Sequence, residues 1–514
     1  MWSQFATALW GIITTYVFFQ ALLRLTQDSR EPPVMATTIP YISPILGMMK
    51  RNSRYYNYLR DNYSVPIFTL RLPFTRLYII TSTSLIPAVQ RQFRTLSFNP
   101  VQIRAVTNFA SPSKEAIELV TNNIENDAGF IPGFLKVVYP TLTGTMLDAL
   151  NQRTADVMVG EFDKLAAKGS TIVPMYEWTD KQITYATTDG IYGPHNPLRD
   201  PKILAAWSVF EAKTMTLVMG ILPKLFAADA IEAREFLWKR YQEYFAQDWH
   251  LEGSDYIKRR YAYMREKGLS EVDTAKIELT GVFPLIGNTI PTAFWFIYRI
   301  FSSPVVLKDC RHEVSRAVSE EKGIFTIDAS VIKDSCPILS STYQEVFRFR
   351  GMGTSVRIAL EDHMLDGKYL IKKGGTVTIS GRVQHSSEAI WGEDVADFKH
   401  TRFVKTPGSK RHNLVAFRGF GGGTTLCPGR HFATTEILLF ATLLMLRFDV
   451  RLANGATKWP MPPTDKSSQA AAMDQPGHDI DIEFVPRPQQ KWRVVFSNTD
   501  YNRTQLVAED IPSD

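Results

Sequence analysis

Cysteine is scarce in this 514-residue sequence, and neither sign of charge prevails strongly. The three cysteines, Cys310, Cys336 and Cys427, show no Cys-x-x-Cys spacing, which excludes a disulfide framework or a cysteine-built zinc site and fits a reducing compartment. Lys and Arg number 58 against 52 Asp and Glu, a formal net charge of +6, and no dense basic block occurs. Proteins that bind along the phosphate backbone of a nucleic acid need such basic blocks, so we expect no nucleic-acid partner.

Charged side chains are missing from the first 23 residues. Residues 5–23 are apolar over about the roughly 17–25 residues that a membrane-spanning helix needs. Because Arg24 and Arg30 follow this segment, whereas a signal peptide has its basic residues first, we predict an uncleaved anchor over residues 1–26. The basic residues after it place the rest of the chain in the cytosol. A buried core helix and a cleaved signal are the alternatives.

Beyond the anchor, no low-complexity run, internal repeat or second linker divides the chain. Recurring prolines over residues 27–48 predict an extended, stiff hinge. We expect one globular domain over residues 49–498, mainly α with a small β portion, and a polar C-terminal tail over residues 499–514. Helical patterns cover residues 142–165, 230–245, 277–301 and 433–446, while residues 65–72 and 77–81 predict a hairpin and residues 355–380 a second β-rich stretch.

A glycine-rich loop that leads into a cysteine carries the clearest chemical signal. Its sequence, FGGGTTLCPGR, runs from Phe420 to Arg430, and Pro428 occupies the first turn of an apolar helix. A thiol at a helix N-terminus is shifted toward the thiolate, which is the form that binds metals. The glycines beside it let the backbone approach a flat cofactor closely.

The loop by itself admits other interpretations. Cys-Pro-Gly-Arg stands where a phosphate-binding loop needs Gly-Lys-Ser/Thr, which argues against phosphate binding. A nucleophilic cysteine could use His412 or His431, although both are near only in sequence. A structural turn that ends in a buried cysteine is the simplest alternative and needs no chemistry at all.

The spacing Phe-x-x-Gly-x-x-x-Cys-x-Gly, met by Phe420, Gly423, Cys427 and Gly429, resembles the haem-thiolate loop of the cytochrome P450 superfamily. The resemblance implies the cytochrome P450 fold, preceded here by one transmembrane helix. It also implies haem b (iron protoporphyrin IX) as the cofactor, with Cys427 as the axial ligand of its iron and the other three residues close to the haem.

A second family element, Glu-x-x-Arg, is met by Glu345 and Arg348. Alone it is weak, because Glu and Arg three residues apart on a helix commonly form a surface pair. The segment from Phe398 to Phe403 resembles the Phe-x-Pro-x-Arg-Phe element of the family, with His400 in place of proline. The resemblance implies that Glu345, Arg348 and Arg402 form a structural network behind the haem.

Arg357 matches the arginine that in the family pairs with a haem propionate, and a guanidinium suits a carboxylate through paired, charge-assisted hydrogen bonds. An ordinary solvated arginine is the alternative. Two other propionate anchors of the family are missing, because Thr425 stands where a basic residue is common and no clear Trp-x-x-x-Arg occurs. Propionate binding is therefore only partly assigned.

Residues 277–301 resemble the long helix that crosses the haem face in the family. Within it, Thr289 matches the threonine that assists oxygen activation, and Asn288 replaces the usual acid. Pro291 has no N–H to donate, so we predict a kink with freed carbonyl groups that could hold water and dioxygen. A kinked core helix without a catalytic role is the alternative.

Asn-Thr-Ile-Pro and the triple glycine resemble the branch of sterol and bile-acid hydroxylases, prostacyclin synthase and their fungal relatives. The resemblance implies a single-pass monooxygenase of the endoplasmic reticulum that faces the cytosol. It would take electrons from NADPH through a flavoprotein reductase and oxidise a lipophilic terpenoid, sterol or other secondary metabolite. The branch also contains isomerases, so a reductase-independent isomerase or dehydratase of an oxygenated lipid is an alternative, and a haem-binding sensor is another.

Two surfaces are candidates for partners. A basic strip precedes the cysteine loop and suits an acidic reductase, although a solvated face fits equally; its members are Lys405, Lys410, Arg411, His412 and Arg418. The apolar segment from Met215 to Phe226 could enter membrane lipid beside a substrate entrance, or it could be buried in the core.

Overall fold

Helices make up most of the computed structural model, which describes residues 2–35, 38–124, 128–220, 222–405, 413–465, 467, 471–488 and 490–497. The predicted tail over residues 499–514 lies outside these ranges. The helices are α1 (Trp2–Thr26), α2 (Ser43–Arg51), α3 (Tyr55–Asn62), α4 (Ile86–Arg91), α5 (Asn99–Ala105), α6 (Lys114–Thr121), α7 (Phe130–Val138), α8 (Gly144–Ala167), α9 (Met175–Tyr192), α10 (Pro201–Ala212), α11 (Thr214–Met219), α12 (Pro223–Phe226), α13 (Ala228–Ala246), α14 (Asp255–Glu266), α15 (Glu271–Ile286), α16 (Thr289–Phe301), α17 (Pro304–Ser315), α18 (Ala329–Ser335), α19 (Pro337–Arg350), α20 (Gly381–His385), α21 (Glu388–Trp391) and α22 (Arg430–Arg447).

The strands form small sheets at the edge of the helical body. They are β1 (Ile67–Leu72), β2 (Thr75–Ile80), β3 (Leu96–Ser97), β4 (Thr171–Pro174), β5 (Val318–Glu321), β6 (Ile324–Asp328), β7 (Thr354–Ala359), β8 (His363–Leu365), β9 (Tyr369–Ile371), β10 (Thr376–Ser380), β11 (Phe448–Leu452), β12 (Asp481–Pro486) and β13 (Lys491–Val495). The largest has the order β1-β2-β10-β7-β3, with β2 and β10 parallel and the other neighbours antiparallel. The predicted hairpin and second β-rich stretch are both confirmed; the hairpin, β7 and β10 belong to this sheet, whereas β8 and β9 pair with each other in a separate one.

The turn between β1 and β2 is tight. Leu72 pairs with Thr75, so only Pro73 and Phe74 connect the strands. Phe74 has a φ of 64°, in the left-handed region that a bulky side chain enters only under constraint. Its ring projects fully into solvent, so the constraint comes from the two-residue connection and not from packing of the ring.

The core lies where α8, α9, α16 and α22 pack against one another. The sequence TIPTAFWFIYRIF of α16 is apolar on nearly every side, which is typical of a helix surrounded by protein. α22 is buried in the same way along almost its whole length. The helical patterns predicted over residues 142–165, 230–245 and 433–446 are confirmed as α8, α13 and α22; α8 is shifted by two residues toward the C-terminus, and α13 and α22 each extend one to three residues beyond the pattern at both ends.

The predicted central helix is two helices, α15 and α16, separated at Gly287 and Asn288. Pro291 lies in the first turn of α16, where its missing N–H is not needed by that helix. It leaves the Gly287 carbonyl without the donor that a continuous helix would supply. The predicted kink is thus confirmed just before Pro291, while the helix starts at Glu271, six residues earlier than the pattern indicated.

The N-terminal segment docks on the β1–β2 hairpin. The carbonyl oxygen of Thr26, the last residue of α1, accepts a hydrogen bond from Arg76 at 2.8 Å, and buried Glu31 accepts one from the Tyr78 hydroxyl at 2.6 Å. Extended backbone throughout residues 27–48 is a wrong prediction, because α2 begins at Ser43 with Pro44 in its first turn. Within the described part of the chain no individual helix meets the length and apolarity of a membrane span, and only α15–α16 taken with α17 does, bent by 104°.

Candidate active site

The cysteine loop and the break in the central helix line one cavity of about 300 Å³. Asn288 and Thr289 come from the break, Arg357 from β7, and Phe420, Cys427 and Gly429 from the loop. These are six of the seven residues that the sequence analysis placed around the cofactor or the bound oxygen. A second cavity, of about 310 Å³, meets the first at Phe98, Thr425 and Cys427, so the sulfur lies at the junction of two spaces.

Cys427 is held at the start of α22 by the loop backbone. Its N–H donates to the Phe420 carbonyl oxygen at 3.0 Å, which closes the loop. Burial raises the pKa of the Cys427 thiol, whereas a hydrogen bond from the Gly429 N–H and the charge of Arg430 lower it. The Gly429 N–H supplies the lowering that was predicted from the helix terminus, but desolvation of the sulfur outweighs both effects and leaves the pKa above its ordinary value. A buried thiolate at this position needs a cation beside it.

Gly423 is required by geometry, whereas Gly429 is the loop glycine nearest the sulfur. Gly423 has a φ of +60°, and a Cβ there would come within 3.0 Å of the Gln90 side chain. Gly423 therefore allows the conformation of the loop on the side of Gln90, and it does not line the cavity. Gly429 lies over the sulfur, 4.0 Å from Cys427 Sγ to the position that a Cβ would take. A Cβ there would make only ordinary van der Waals contact with the sulfur, so the glycine leaves open space beside it.

Arg357 is buried at the cavity wall, so the solvated alternative is wrong. Its guanidinium donates to the Thr425 hydroxyl at 2.6 Å and to the Val356 carbonyl at 2.9 Å. Burial and the nearby charge of Arg418 lower the pKa of Arg357 to about 10. Among the residues described, no carboxylate forms an ion pair with Arg357, whose buried positive charge lies beside that of Arg418 at the cavity wall.

Arg418 is a residue whose role the sequence analysis missed. It was assigned to the exposed basic strip, yet it is 6% exposed and lines the cavity. The strip is therefore smaller than predicted; Lys405 is exposed, and Lys410, Arg411 and His412 lie outside the described residues. A signal was present, since Arg418 is only two residues before Phe420 in the cysteine loop.

Glu345, Arg348 and Arg402 meet in the interior. Arg348 donates two hydrogen bonds of 2.7 Å to the Glu345 carboxylate, and Arg402 donates a third at 3.1 Å. All three side chains are at most 3% exposed. Arg348 also donates to the His385 carbonyl, and His385 Nε2 accepts the Arg418 N–H at 2.8 Å. Burial and the charge of Arg348 lower the pKa of His385 to about 3, so this neutral histidine links the network to the cysteine loop.

The break itself is held by side-chain hydrogen bonds. Thr289 Oγ1 donates to the Leu285 carbonyl at 2.9 Å. Asn288 Oδ1 accepts the Ala472 N–H at 2.7 Å, which ties the break to the loop before β12. Asn288 therefore has an anchoring contact that sequence reasoning did not foresee.

Comparison with known proteins agrees with this geometry. The Cytochrome P450 family model matches residues 235–479. The chain is 30% identical over 500 residues to cytochrome P450 monooxygenase nodJ of Hypoxylon pulicicidum, covering 94% of this chain and 96% of that one. It is 28% identical over 302 residues to cholesterol 7-alpha-monooxygenase of Cricetulus griseus, covering 55% and 58%. A solved structure of retinoic acid-bound cyanobacterial CYP120A1 matches the fold with a TM-score of 0.68 at 16% identity, over 90% of this chain and all of that one.

The chain belongs to the cytochrome P450 family. It is an oxidoreductase of the monooxygenase type with the mainly helical P450 fold, and the family implies a haem iron cofactor and an external electron donor.

Proposed function

We propose that this protein is a membrane-bound haem-thiolate monooxygenase that hydroxylates or otherwise oxidises a lipophilic terpenoid, sterol or other secondary metabolite. The observation that carries the proposal is that Cys427 and Thr289 line the same cavity. The relatives support this substrate class, since one of them is named for cholesterol oxidation. A reductase-independent isomerase and a haem sensor lack a comparable observation in their favour.

The residues around the cavity fit haem b. Cys427 Sγ would bind the haem iron, with Phe420 and Gly429 near the cofactor, and the buried guanidiniums of Arg357 and Arg418 would receive its propionate carboxylates. When bound, the haem would supply oxidation of a C–H bond by dioxygen, which a thiolate ligand favours. This assignment accounts for the buried charge of Arg357, which forms no ion pair with a carboxylate among the described residues.

The chain's own residues orient the substrate and control protons. Apolar side chains line the cavity and exclude water from a lipophilic substrate; Phe98, Leu285, Phe347 and Met473 are among them. We assign to the Thr289 hydroxyl the task of holding water for proton transfer, because its donation to Leu285 fixes its oxygen beside the cavity. Glu345, Arg348 and Arg402 keep the loop behind the sulfur in place.

The reaction takes up dioxygen, two electrons and two protons, and releases the oxidised substrate and water. We infer that the electrons come from NADPH through a flavoprotein reductase. Membranes that contain the protein and this reductase should oxidise NADPH in proportion to product when candidate terpenoids or sterols are added, as measured by absorbance and mass spectrometry. Product that forms without reductase and NADPH would instead establish an isomerase.

Thr289→Val deletes the hydroxyl and keeps the side-chain shape. We expect normal haem binding and substrate affinity, less product per NADPH and more hydrogen peroxide, because protons are no longer delivered in order. A positioned proton-transfer group contributes on the order of 10²–10⁴-fold, part of which water can replace. The assay compares product, NADPH and peroxide with those of Thr292→Val, a cavity-lining neighbour. Equal coupling in both variants would remove Thr289 from the mechanism.

We further propose that residues 1–26 anchor the protein in the endoplasmic reticulum membrane, with the catalytic domain on the cytosolic side. Apolar side chains of α1 are exposed, Trp10 at 69% and Val17 at 56%. The segment from Met215 to Phe226 adds exposed Leu222, Leu225 and Phe226, whereas Leu217 is buried. This segment is therefore partly buried in the core, and its exposed side chains would contact membrane lipid.

Deleting residues 1–26 should leave the haem spectrum intact and release more protein from the membrane pellet at high salt, measured by fractionation. Residual attachment should fall further when Leu225→Asp is added, since that side chain is 71% exposed. Val305→Asp, on an exposed side chain of α17, is the control. A truncated protein that is soluble but cannot load haem would show that α1 belongs to the core.

A further inference from the structure

The break in the central helix has no acidic side chain of its own. Asn288 stands where the family has an acid, and its Oδ1 is engaged by the Ala472 N–H at 2.7 Å. An amide does not take up and release protons near neutral pH, and a threonine hydroxyl only passes on protons that it receives. A group from another element must therefore supply the protons that reach Thr289.

Glu211 approaches the break from α10. Its Oε1 is 3.1 Å from the position that a Cβ on Gly287 would occupy, so this carboxyl group lies against the helix backbone at Gly287, where a side chain would crowd it. Pro291 has no N–H to offer the Gly287 carbonyl. A carboxyl group and a carbonyl oxygen without its helical donor therefore lie at the same residue, immediately before Asn288 and Thr289 in the cavity wall.

Titratable side chains on α9 lie next in a series that begins at Glu211. Burial and the charge of Asp180 raise the pKa of Glu211 to about 7. Burial, together with the charge of Glu177, raises the pKa of Asp180 to about 6. Tyr176 faces both acids, and burial with their charges raises its pKa.

The outer end of this series reaches the surface. Asp479 accepts the backbone N–H groups of Tyr176 and Glu177 at 2.7 and 2.9 Å, and Glu177 is exposed. Glu211, Asp180, Glu177 and Asp479 are thus near enough to influence one another's charge or that of Tyr176, between the break and the surface at α9.

We propose that Glu211 is the proton relay of this site, passing protons from the Asp180 side through water to the Gly287 carbonyl and Thr289. The inference rests on the proposed monooxygenase function, in which reductase supplies the electrons. Each proton leaves the protonated Glu211 carboxyl group and is replaced from solvent by way of Asp180, so Glu211 is unchanged over a cycle. Glu211 acts through Thr289 and water, so it is a positioning residue and not a catalytic one.

Infrared difference spectroscopy of the ferric enzyme tests the protonation of Glu211 without turnover. We expect a protonated carboxylic acid band that shifts in D₂O, is present below pH 7 and disappears as the pH rises through about 7. Glu211→Gln should remove it, and the exposed control Glu232→Gln should leave it. Asp180→Asn should lower its midpoint, because the negative charge beside Glu211 is gone. A band that survives Glu211→Gln would overturn the proposal.

Turnover tests the relay itself. Glu211→Gln should lower the rate of product formation on the order of 10²-fold and enlarge the solvent isotope effect, while Glu211→Asp should recover most of the rate. Haem content and thermal melting show whether each variant folds. If Glu211→Gln does not fold, the rate and isotope effect of Glu211→Asp test the relay instead. A wild-type rate and isotope effect in Glu211→Gln would overturn the proposed relay and leave the proposed function standing. If wild-type protein forms no NADPH-dependent product, the proposed function fails and the relay falls with it.

Discussion

Replacing Cys427 with alanine should abolish the red-shifted Soret band of the reduced, carbon monoxide-bound protein. That band reports thiolate ligation of the haem iron, and Cys427 would supply the sulfur, at the junction of the two cavities. Alanine keeps the loop closure, because the hydrogen bond from residue 427 to the Phe420 carbonyl uses only the backbone. Product formation should fall to background, and the spectrum of the reduced protein with carbon monoxide checks the ligand directly.

Cys310→Ala is the matched control for this experiment. Cys310 is fully buried on α17, and burial raises the pKa of its thiol to about 12, so it stays protonated and does not bind metal. Its replacement creates a small cavity and should leave the red-shifted band unchanged. A band that persists in Cys427→Ala, or that disappears in Cys310→Ala, would contradict the ligand assignment.

Glu345→Ala should cause the largest loss of stability. The substitution leaves the guanidiniums of Arg348 and Arg402 buried without their shared carboxylate. Removing one partner of a buried charge network lowers the free energy of unfolding by about 3–5 kcal/mol, a large share of the roughly 5–15 kcal/mol of a typical domain. We expect low haem content and a lowered midpoint in urea, measured by absorbance and circular dichroism.

The exposed pair Arg240 and Glu243 offers a control with the same three-residue spacing. Glu243→Ala should change the free energy of unfolding by no more than about 0.5 kcal/mol, because water screens the pair. Wild-type haem loading and stability in Glu345→Ala would show that the buried network does not support the fold.

Local chemistry accounts for the parts of the site that the sequence predicted. The cysteine, its flanking glycines and the start of α22 are contiguous in the chain, so turn and helix-start rules apply to them directly. Pro291 likewise imposes a break through its own missing N–H, and the break is found four residues before it. The burial that raises the pKa of Cys427 depends on residues far away in sequence, so no local pattern indicates it.

Taken alone, the sequence determined the helical class, the hairpin, the break in the central helix and the residues of the cysteine loop, since these depend on neighbours within a few positions. Only the tertiary structure decided that Arg418 is buried, that His385 joins the ion network to the loop, and that Asn288 is anchored to Ala472. It also placed Glu211 against Gly287, 76 residues farther along the chain. The physical reason is that burial and contact between distant segments follow from how helices pack, and no local pattern records that packing.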